Sequence, residues 1–129
     1  MKEFEINKVI LLVSHDETNT LLLMQQISHE RSYRIFHASD SYAALKFTQY
    51  FKPNLFILDH CLPSLNGIEL YDRLRLRKEL QGVPALLMSM SPLPSAEMAQ
   101  RQLAGVCKPF DFPDLLQKID TLLHGNSSL

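Results

Sequence analysis

The stretch that decides the fold is KPNLFILDHCLPSLNGIELYDRLR, residues 52–75. It contains the apolar run NLFIL (54–58), in which polar and apolar residues do not alternate. Such a run is typical of a strand buried on both faces, as in a parallel sheet covered by helices on each side. Asp59 ends this run, and a segment with helical periodicity begins at Gly67. The apolar residues on one face of that segment are Leu70, Tyr71 and Leu74. The stretch therefore predicts one strand followed by one helix.

The same alternation repeats on both sides of this stretch. The predicted strands are KVILLV (8–13), YRIFHA (33–38), NLFIL (54–58), PALLM (84–88) and AGVC (104–107). The predicted helices lie in TNTLLLMQQISHE (18–30), SDSYAALKFTQYF (39–51), GIELYDRLRLRKEL (67–80), SAEMAQRQL (95–103) and DFPDLLQKIDTLLHG (111–125). Five such units predict a three-layer, doubly wound α/β fold with a five-stranded parallel sheet.

Several helix ends have residues that stabilise helix termini. Polar side chains that can accept a hydrogen bond from the first turn precede or begin three of the helices. The candidates are Thr18 or Asn19, Ser39 or Asp40, and Asp111. Glycine is common just after a helix, so we expect Gly125 to end the last one.

Length and composition indicate one globular domain. The chain has 129 residues, 46% hydrophobic and 21% charged, with a formal net charge of −1. We expect a single domain over 1–129, with its core at about 8–124 and a polar tail at 125–129. The balanced charge gives no reason to expect direct nucleic-acid binding. No apolar run approaches the roughly 20 residues that span a bilayer. Two isolated cysteines, with no signal peptide, predict a cytoplasmic protein.

Polar side chains follow most of the predicted strands. Asp59, Ser89 and Lys108 end the third, fourth and fifth strands, and Ser14 and Asp16 follow the first. Ligand sites in open parallel sheets lie at the carboxyl ends of the strands. Each residue alone has an ordinary structural explanation, such as a loop cap, a turn or a surface lysine. Together they favour a functional site at this edge of the sheet.

Four motifs resemble the receiver domain of response regulators in two-component signalling. They are VILLVSHDETN (9–19), the stretch 52–75, VPALLMS (83–89) and CKPF (107–110). The resemblance extends from about Lys8 to Leu123. It implies the flavodoxin-like receiver fold, with strand order 2-1-3-4-5 and a cis peptide bond between Lys108 and Pro109.

The resemblance implies a signalling module rather than an enzyme. Asp59 would accept a phosphoryl group, because a carboxylate can attack phosphorus and form an acyl phosphate. Lys108 and Ser89 would stabilise the negative charge of the transferred group. The implied partners are a histidine kinase or phosphotransfer protein and an output domain or protein, and the family resemblance is compatible with a homodimer.

The family also uses Mg²⁺, and here the sequence departs from its pattern. The ligands implied by resemblance are Asp59, Asp16 and the backbone carbonyl of Cys61. However, Ser14 and His15 stand where the family has its metal-binding acid pair. Serine has no charge, and imidazole favours transition metals over Mg²⁺. We therefore expect an atypical receiver with weak or absent Mg²⁺-dependent phosphorylation, acting through protein–protein contacts.

Other interpretations remain open at this point. One is a conventional, phosphorylatable response regulator. A remote one is a flavodoxin-like cofactor-binding protein or small enzyme, although no glycine-rich phosphate loop follows the first strand. The potential metal ligands His15, Asp16, Asp59, His60 and Cys61 match no standard zinc spacing. A further departure is Gly105, where the family has an aromatic residue that changes rotamer on activation.

Overall fold

Strands and helices alternate along the whole described part of the chain. The computed structural model describes residues 8–90 and 92–124. Within them the strands are β1 (Val9–Val13), β2 (Arg34–Ala38), β3 (Leu55–Asp59), β4 (Ala85–Met90) and β5 (Ala104–Lys108). The α-helices are α1 (Glu17–Glu30), α2 (Ser41–Phe47), α3 (Gly67–Arg75), α4 (Ser95–Arg101) and α5 (Phe112–His124).

The five strands form one parallel sheet in the order β2-β1-β3-β4-β5. This confirms the doubly wound fold and the strand order predicted from the sequence. Because β1 and β3 are neighbours in the middle of the sheet, the loops that follow them lie side by side. The carboxyl ends of β4 and β5 continue the same edge, with Ser89 beside Cys107 and Met90 beside Lys108.

The central strands alternate their apolar side chains between two cores. On one face, Ile10 and Leu12 of β1 belong to a cluster that includes residues of α1 and α5. On the other face, Leu11 and Val13 belong to a cluster with residues of α2, α3 and α4. Each fully buried aliphatic side chain stabilises the fold by about 1.5–3 kcal/mol. Because both faces of these strands are buried, their sequences are continuous apolar runs in which polar residues do not alternate.

Several element boundaries differ from the sequence predictions. Strand β4 continues to Met90. Helix α3 ends at Arg75, because the backbone becomes extended at Arg77 (φ −84, ψ 125). A short 3₁₀ helix, Lys78–Leu80, follows and buries Leu80. The predicted caps of the first helix, Thr18 and Asn19, are wrong, because both residues lie inside α1.

The helix ends show which polar residues act as caps. Helix α1 is capped by Asp16, whose side chain accepts from the Asn19 amide, and α2 by Asp40, one of its two predicted caps. The Asp111 carbonyl accepts from the Leu115 amide at 3.0 Å, while capping by its side chain stays a prediction. Gly125 and the tail 125–129 lie outside the described residues, so the predicted domain limits also stay a prediction.

Gly67 allows α3 to start close to the end of β3. A β-carbon at this position would lie 2.7 Å from the backbone oxygen of Asp59 and 2.7 Å from Cδ1 of Leu87. Real β-carbons do not approach backbone atoms so closely, so the position requires glycine. Asn66 and Glu69 form a capping box that fixes the same helix end. The loop after Asp59 is therefore held tightly against the sheet.

No helix in residues 8–90 and 92–124 has the length and apolar character needed to cross a membrane.

Candidate functional site

Asp59 lies at the carboxyl end of β3 and is 5% exposed. Its Oδ2 accepts a hydrogen bond from Lys108 Nζ at 2.9 Å and another from the Ser14 hydroxyl at 3.3 Å. Its Oδ1 accepts from the backbone amide of Cys61 at 3.3 Å. A buried carboxylate is costly unless it is paired, and these three donors provide that pairing. Oδ2 is thus the more heavily bonded of the two oxygens.

Lys108 brings the cationic charge from the end of β5. Its side chain is about one-third exposed, so the ammonium reaches Asp59 from the solvent side of the site. The peptide bond between Lys108 and Pro109 is cis, as the family resemblance implied. Only β4 lies between β5 and β3 in the sheet, so the long side chain of Lys108 can reach Asp59 across one strand. Charge at the site is therefore balanced by a protein cation.

Ser14 enters the site from β1 and is only 3% exposed. Its amide donates to the Ala38 carbonyl at 3.1 Å, and its carbonyl accepts from Nε2 of His37 at 2.9 Å. Because a carbonyl can only accept, His37 must carry its proton on Nε2 in this arrangement. The sequence analysis did not identify His37. This residue lies on the edge strand β2, and it comes near the site only because the strand register pairs it with Leu12 of β1.

Asp16 uses its carboxylate to cap α1. Oδ1 accepts from the Asn19 amide at 3.2 Å and Oδ2 from the Asn19 side chain at 2.6 Å. These hydrogen bonds, the one from the Asn19 backbone first, lower the pKa of Asp16 below its ordinary value of 3.8. The side chain is exposed and faces its own helix. The predicted metal role of Asp16 stays a prediction, and it would compete with the cap.

Ser89 is buried near the end of β4, but its hydroxyl is engaged elsewhere. It donates to the carbonyl of Met90 at 3.0 Å. The neighbouring strand residue is Cys107, one position before Lys108. The structure therefore brings Asp59, Lys108 and Ser14 into direct contact, whereas Ser89 is close in the sheet with its donor turned to its own strand.

The donor set fits Mg²⁺ poorly. Mg²⁺ requires octahedral oxygen coordination and is usually held by one or two carboxylates. Of the predicted ligands, Asp59 is already neutralised by Lys108, Asp16 caps a helix, and Cys61 could offer its carbonyl. In residues 8–90 and 92–124 no three His, Cys, Asp or Glu side chains are grouped to hold a metal ion. The predicted ligand set therefore stays a prediction.

The residues singled out as a potential transition-metal cluster are also dispersed. His15 and Cys61 are exposed, and both cysteines are free. His60 has a buried Nδ1 with no hydrogen-bond partner within the described part of the chain. A single unpaired nitrogen beside a lysine-bound carboxylate does not form a zinc or copper site, which needs three or four convergent ligands.

A cavity of about 360 Å³ opens beside the site between α1 and the segment that follows β5. Its polar lining includes Ser14, Asp16 and Lys108, and its apolar lining includes Leu23 and Phe110. Sequence reasoning did not predict this cavity, because its walls come from segments that are far apart in the chain.

The structure is a doubly wound α/β domain in which a carboxylate and a lysine meet at the carboxyl edge of a parallel sheet. The family model described as "Response regulator receiver domain" matches residues 10–120. The chain belongs to this family, and it is a receiver domain of two-component response regulators. The family match confirms the resemblance and favours it over the remote alternative of a flavodoxin-like cofactor-binding protein or small enzyme.

Curated relatives include regulators and a phosphotransferase. The chain is 45% identical over 74 residues to the alkaline phosphatase synthesis transcriptional regulatory protein PhoP of Bacillus subtilis, covering 57% of this chain and 30% of that protein. It is 23% identical over 121 residues to sporulation initiation phosphotransferase F of Bacillus subtilis, covering 92% and 95%. The chain spans about a third of the length of PhoP and of the phosphate regulon regulator PhoB of Rhizobium meliloti.

Solved structures show the same fold. The response regulator TrrA of Thermotoga maritima, solved in complex with Mg²⁺-BeF, superposes with a TM-score of 0.80 and 28% identity, covering 90% of this chain and 99% of that one. The Francisella response regulator 1452 receiver domain gives a TM-score of 0.80 at 21% identity, covering 92% and 98%.

Proposed function

We propose that this domain is an atypical receiver in which Asp59 is the nominal phosphoacceptor but Mg²⁺-dependent phosphorylation is weak or absent. It works through protein–protein contacts in the cytoplasm, as a regulator rather than an enzyme. Its partners are a histidine kinase or phosphotransfer protein, or an output domain or protein, and a second copy is a further candidate. The observation that carries this proposal is the pairing of Asp59 with Lys108 and Ser14 on one oxygen.

The physical reason lies in the charge of the site. A divalent cation is attracted by a cluster of carboxylates, and each acid that is lost removes part of that attraction. Ser14 has a neutral hydroxyl at the place of one acid, and His15 is exposed at the place of the other. With Lys108 already balancing Asp59, an incoming Mg²⁺ meets a site with little net negative charge.

Phosphoryl transfer onto Asp59 would suffer from the same deficit. Such a transfer develops charge on the phosphoryl oxygens, which must be stabilised by cations and hydrogen-bond donors. Lys108 is the cation that contacts Asp59, and Ser89 would have to release the Met90 carbonyl to assist. These features support slow or absent transfer.

The test is phosphorylation by acetyl phosphate with and without Mg²⁺, followed by intact-mass spectrometry. The natural chain is compared with a Ser14→Asp, His15→Asp variant, which restores the acid pair. We expect little added mass on the natural chain and one phosphoryl group on the variant, with Asp59→Asn abolishing it. A natural chain that is modified as fast as the variant would make it a conventional, phosphorylatable response regulator.

A further inference from the structure

Helix α4 depends on tertiary contacts for its position. It has only seven residues, Ser95–Arg101, and its N-cap is Pro94, which makes no side-chain cap hydrogen bond. Two turns of helix are marginal in isolation, because the nucleation cost is spread over few hydrogen bonds. What fixes α4 on the sheet therefore decides whether this side of the domain can change its arrangement.

The first contact is between Met98 of α4 and Gly105 of β5. Met98 is 8% exposed, and a β-carbon at residue 105 would overlap its Cε and lie 3.3 Å from its Sδ. The thioether therefore fills the space that any side chain at residue 105 would occupy. Methionine is flexible and fills irregular gaps well, so its side chain can pack into the space beside Gly105.

The second contact joins α4 to α3. Arg101 donates from Nε to Oδ1 of Asp72 at 2.7 Å and from Nη2 to Oδ2 at 2.8 Å. This is the two-pronged geometry in which a guanidinium binds a carboxylate most specifically. Arg101 also donates from Nη1 to the Glu97 carbonyl at 2.8 Å, which ties the side chain to its own helix.

The end of α4 is closed as well. Gln102 adopts a left-handed conformation with φ 54, and the Leu103 amide donates to the Met98 carbonyl at 2.9 Å. Asp59, in contrast, receives its hydrogen bonds from Ser14, Cys61 and Lys108, none of which lies on α4 or α3, although Lys108 shares β5 with Gly105. The Ser89 hydroxyl, which could link the two regions, is bound to the Met90 carbonyl.

We propose that Met98 and Arg101 form a lock that holds α4 on β5 and α3 in one arrangement, whatever the chemical state of Asp59. A two-state element responds to a signal only if the signal interacts differently with its two states. The lock stabilises one state through contacts that do not include Asp59. Its role in signalling rests on the proposed function, because a constant surface is what a partner of an unphosphorylated receiver would read.

The test measures amide hydrogen exchange of α4 in the full chain. Met98→Ala removes the side chain at Gly105, and Arg101→Ala removes the link to Asp72. We expect α4 amides to exchange at least about tenfold faster in each variant. Asp59→Asn should leave them within about twofold of the natural chain. Matched controls are Met90→Ala, an exposed methionine on β4, and Arg73→Ala, an exposed arginine on α3, neither of which should change α4 exchange.

A second variant guards against general loss of the fold. Gly105→Ala forces the Met98 side chain to move while adding only a methyl group, so it should raise α4 exchange with α5 exchange unchanged. The proposal is wrong if Met98→Ala and Gly105→Ala leave the amide exchange of α4 unchanged. It is also wrong if Asp59→Asn changes the amide exchange of α4 as much as those two variants do. The acetyl phosphate experiment tests the proposed function by added mass, whereas amide exchange tests the lock. The two proposals can therefore be rejected separately.

Discussion

Ser14 and Asp59 are joined by a hydrogen bond of 3.3 Å, from the serine hydroxyl to the same Oδ2 that accepts from Lys108. Ser14 is buried, its backbone is hydrogen-bonded to Ala38 and His37, and its hydroxyl oxygen also accepts from the Asp16 amide at 3.4 Å. A serine at the position where the family resemblance implies an acid thus donates to the Asp59 carboxylate. This relationship underlies the first two predictions.

The first prediction concerns Mg²⁺ affinity. The Ser14→Asp, His15→Asp variant should bind Mg²⁺ at least about tenfold more tightly than the natural chain, a difference of about 1.4 kcal/mol, because it restores two carboxylates beside Asp59. Isothermal titration calorimetry measures both affinities. Tight binding by the natural chain, lost on Asp16→Ala, would show instead that Asp16 leaves its cap to serve as a ligand.

The second prediction concerns the ion pair of Lys108 and Asp59. Lys108→Met should lower the free energy of unfolding by about 1–3 kcal/mol, since it leaves a buried carboxylate without its cation. In an Asp59→Asn background the same change should cost much less, because no charge is left to compensate. Urea denaturation of the four proteins gives the coupling energy. A coupling near zero would mean that solvent, rather than Lys108, compensates Asp59.

The third prediction concerns the close approach of α3 to β3. Gly67→Ala should lower the free energy of unfolding by about 1–3 kcal/mol, because the added methyl group would meet the Asp59 backbone and Leu87. Gly82 is a matched control, as a β-carbon there would meet nothing within 4 Å. Thermal and urea unfolding compare the two variants. Equal stability of both would show that the start of α3 can shift away from the sheet.

The fourth prediction concerns Asp120 at the other end of the molecule. Its carboxylate accepts from Arg31 at 2.7 Å and from the Tyr33 hydroxyl at 2.6 Å. Burial alone would raise the pKa of Asp120, but these hydrogen bonds outweigh it and hold the pKa below its ordinary value of 3.8. Asp120→Asn should therefore destabilise the protein by about 1–2 kcal/mol at neutral pH, allowing for partial solvation.

The sign of the pH dependence of this effect follows from the lowered pKa. The stabilisation by Asp120 is fully present above the unfolded-state pKa and is lost as the pH falls through the lower folded-state pKa. The difference in unfolding free energy between natural chain and variant should therefore shrink below about pH 4. Asp114→Asn, in an exposed pair with Lys118, serves as the control and should change little. A difference that persists unchanged at pH 2 would contradict the assignment.

Much of the fold follows from local pattern in the sequence. The continuous apolar runs around Leu11, Ile57 and Leu87 required burial on both sides, and helical periodicity between them left only a doubly wound sheet. The positions of Asp59 and Lys108 after strands placed them at one edge, because parallel strands end together. The order of the strands came from the family resemblance, since local periodicity does not specify which strands pair.

Tertiary structure decided what these side chains do. Ser14 follows β1 and His37 lies in β2, and the pairing of these two strands brings the imidazole to the carbonyl of Ser14, whose hydroxyl reaches Asp59. Gly105 in the sequence is simply a missing side chain, whereas in the fold its space is filled by Met98. Such relationships depend on distances between residues far apart in the chain, and periodicity determines which face a residue is on but not which side chain it meets there.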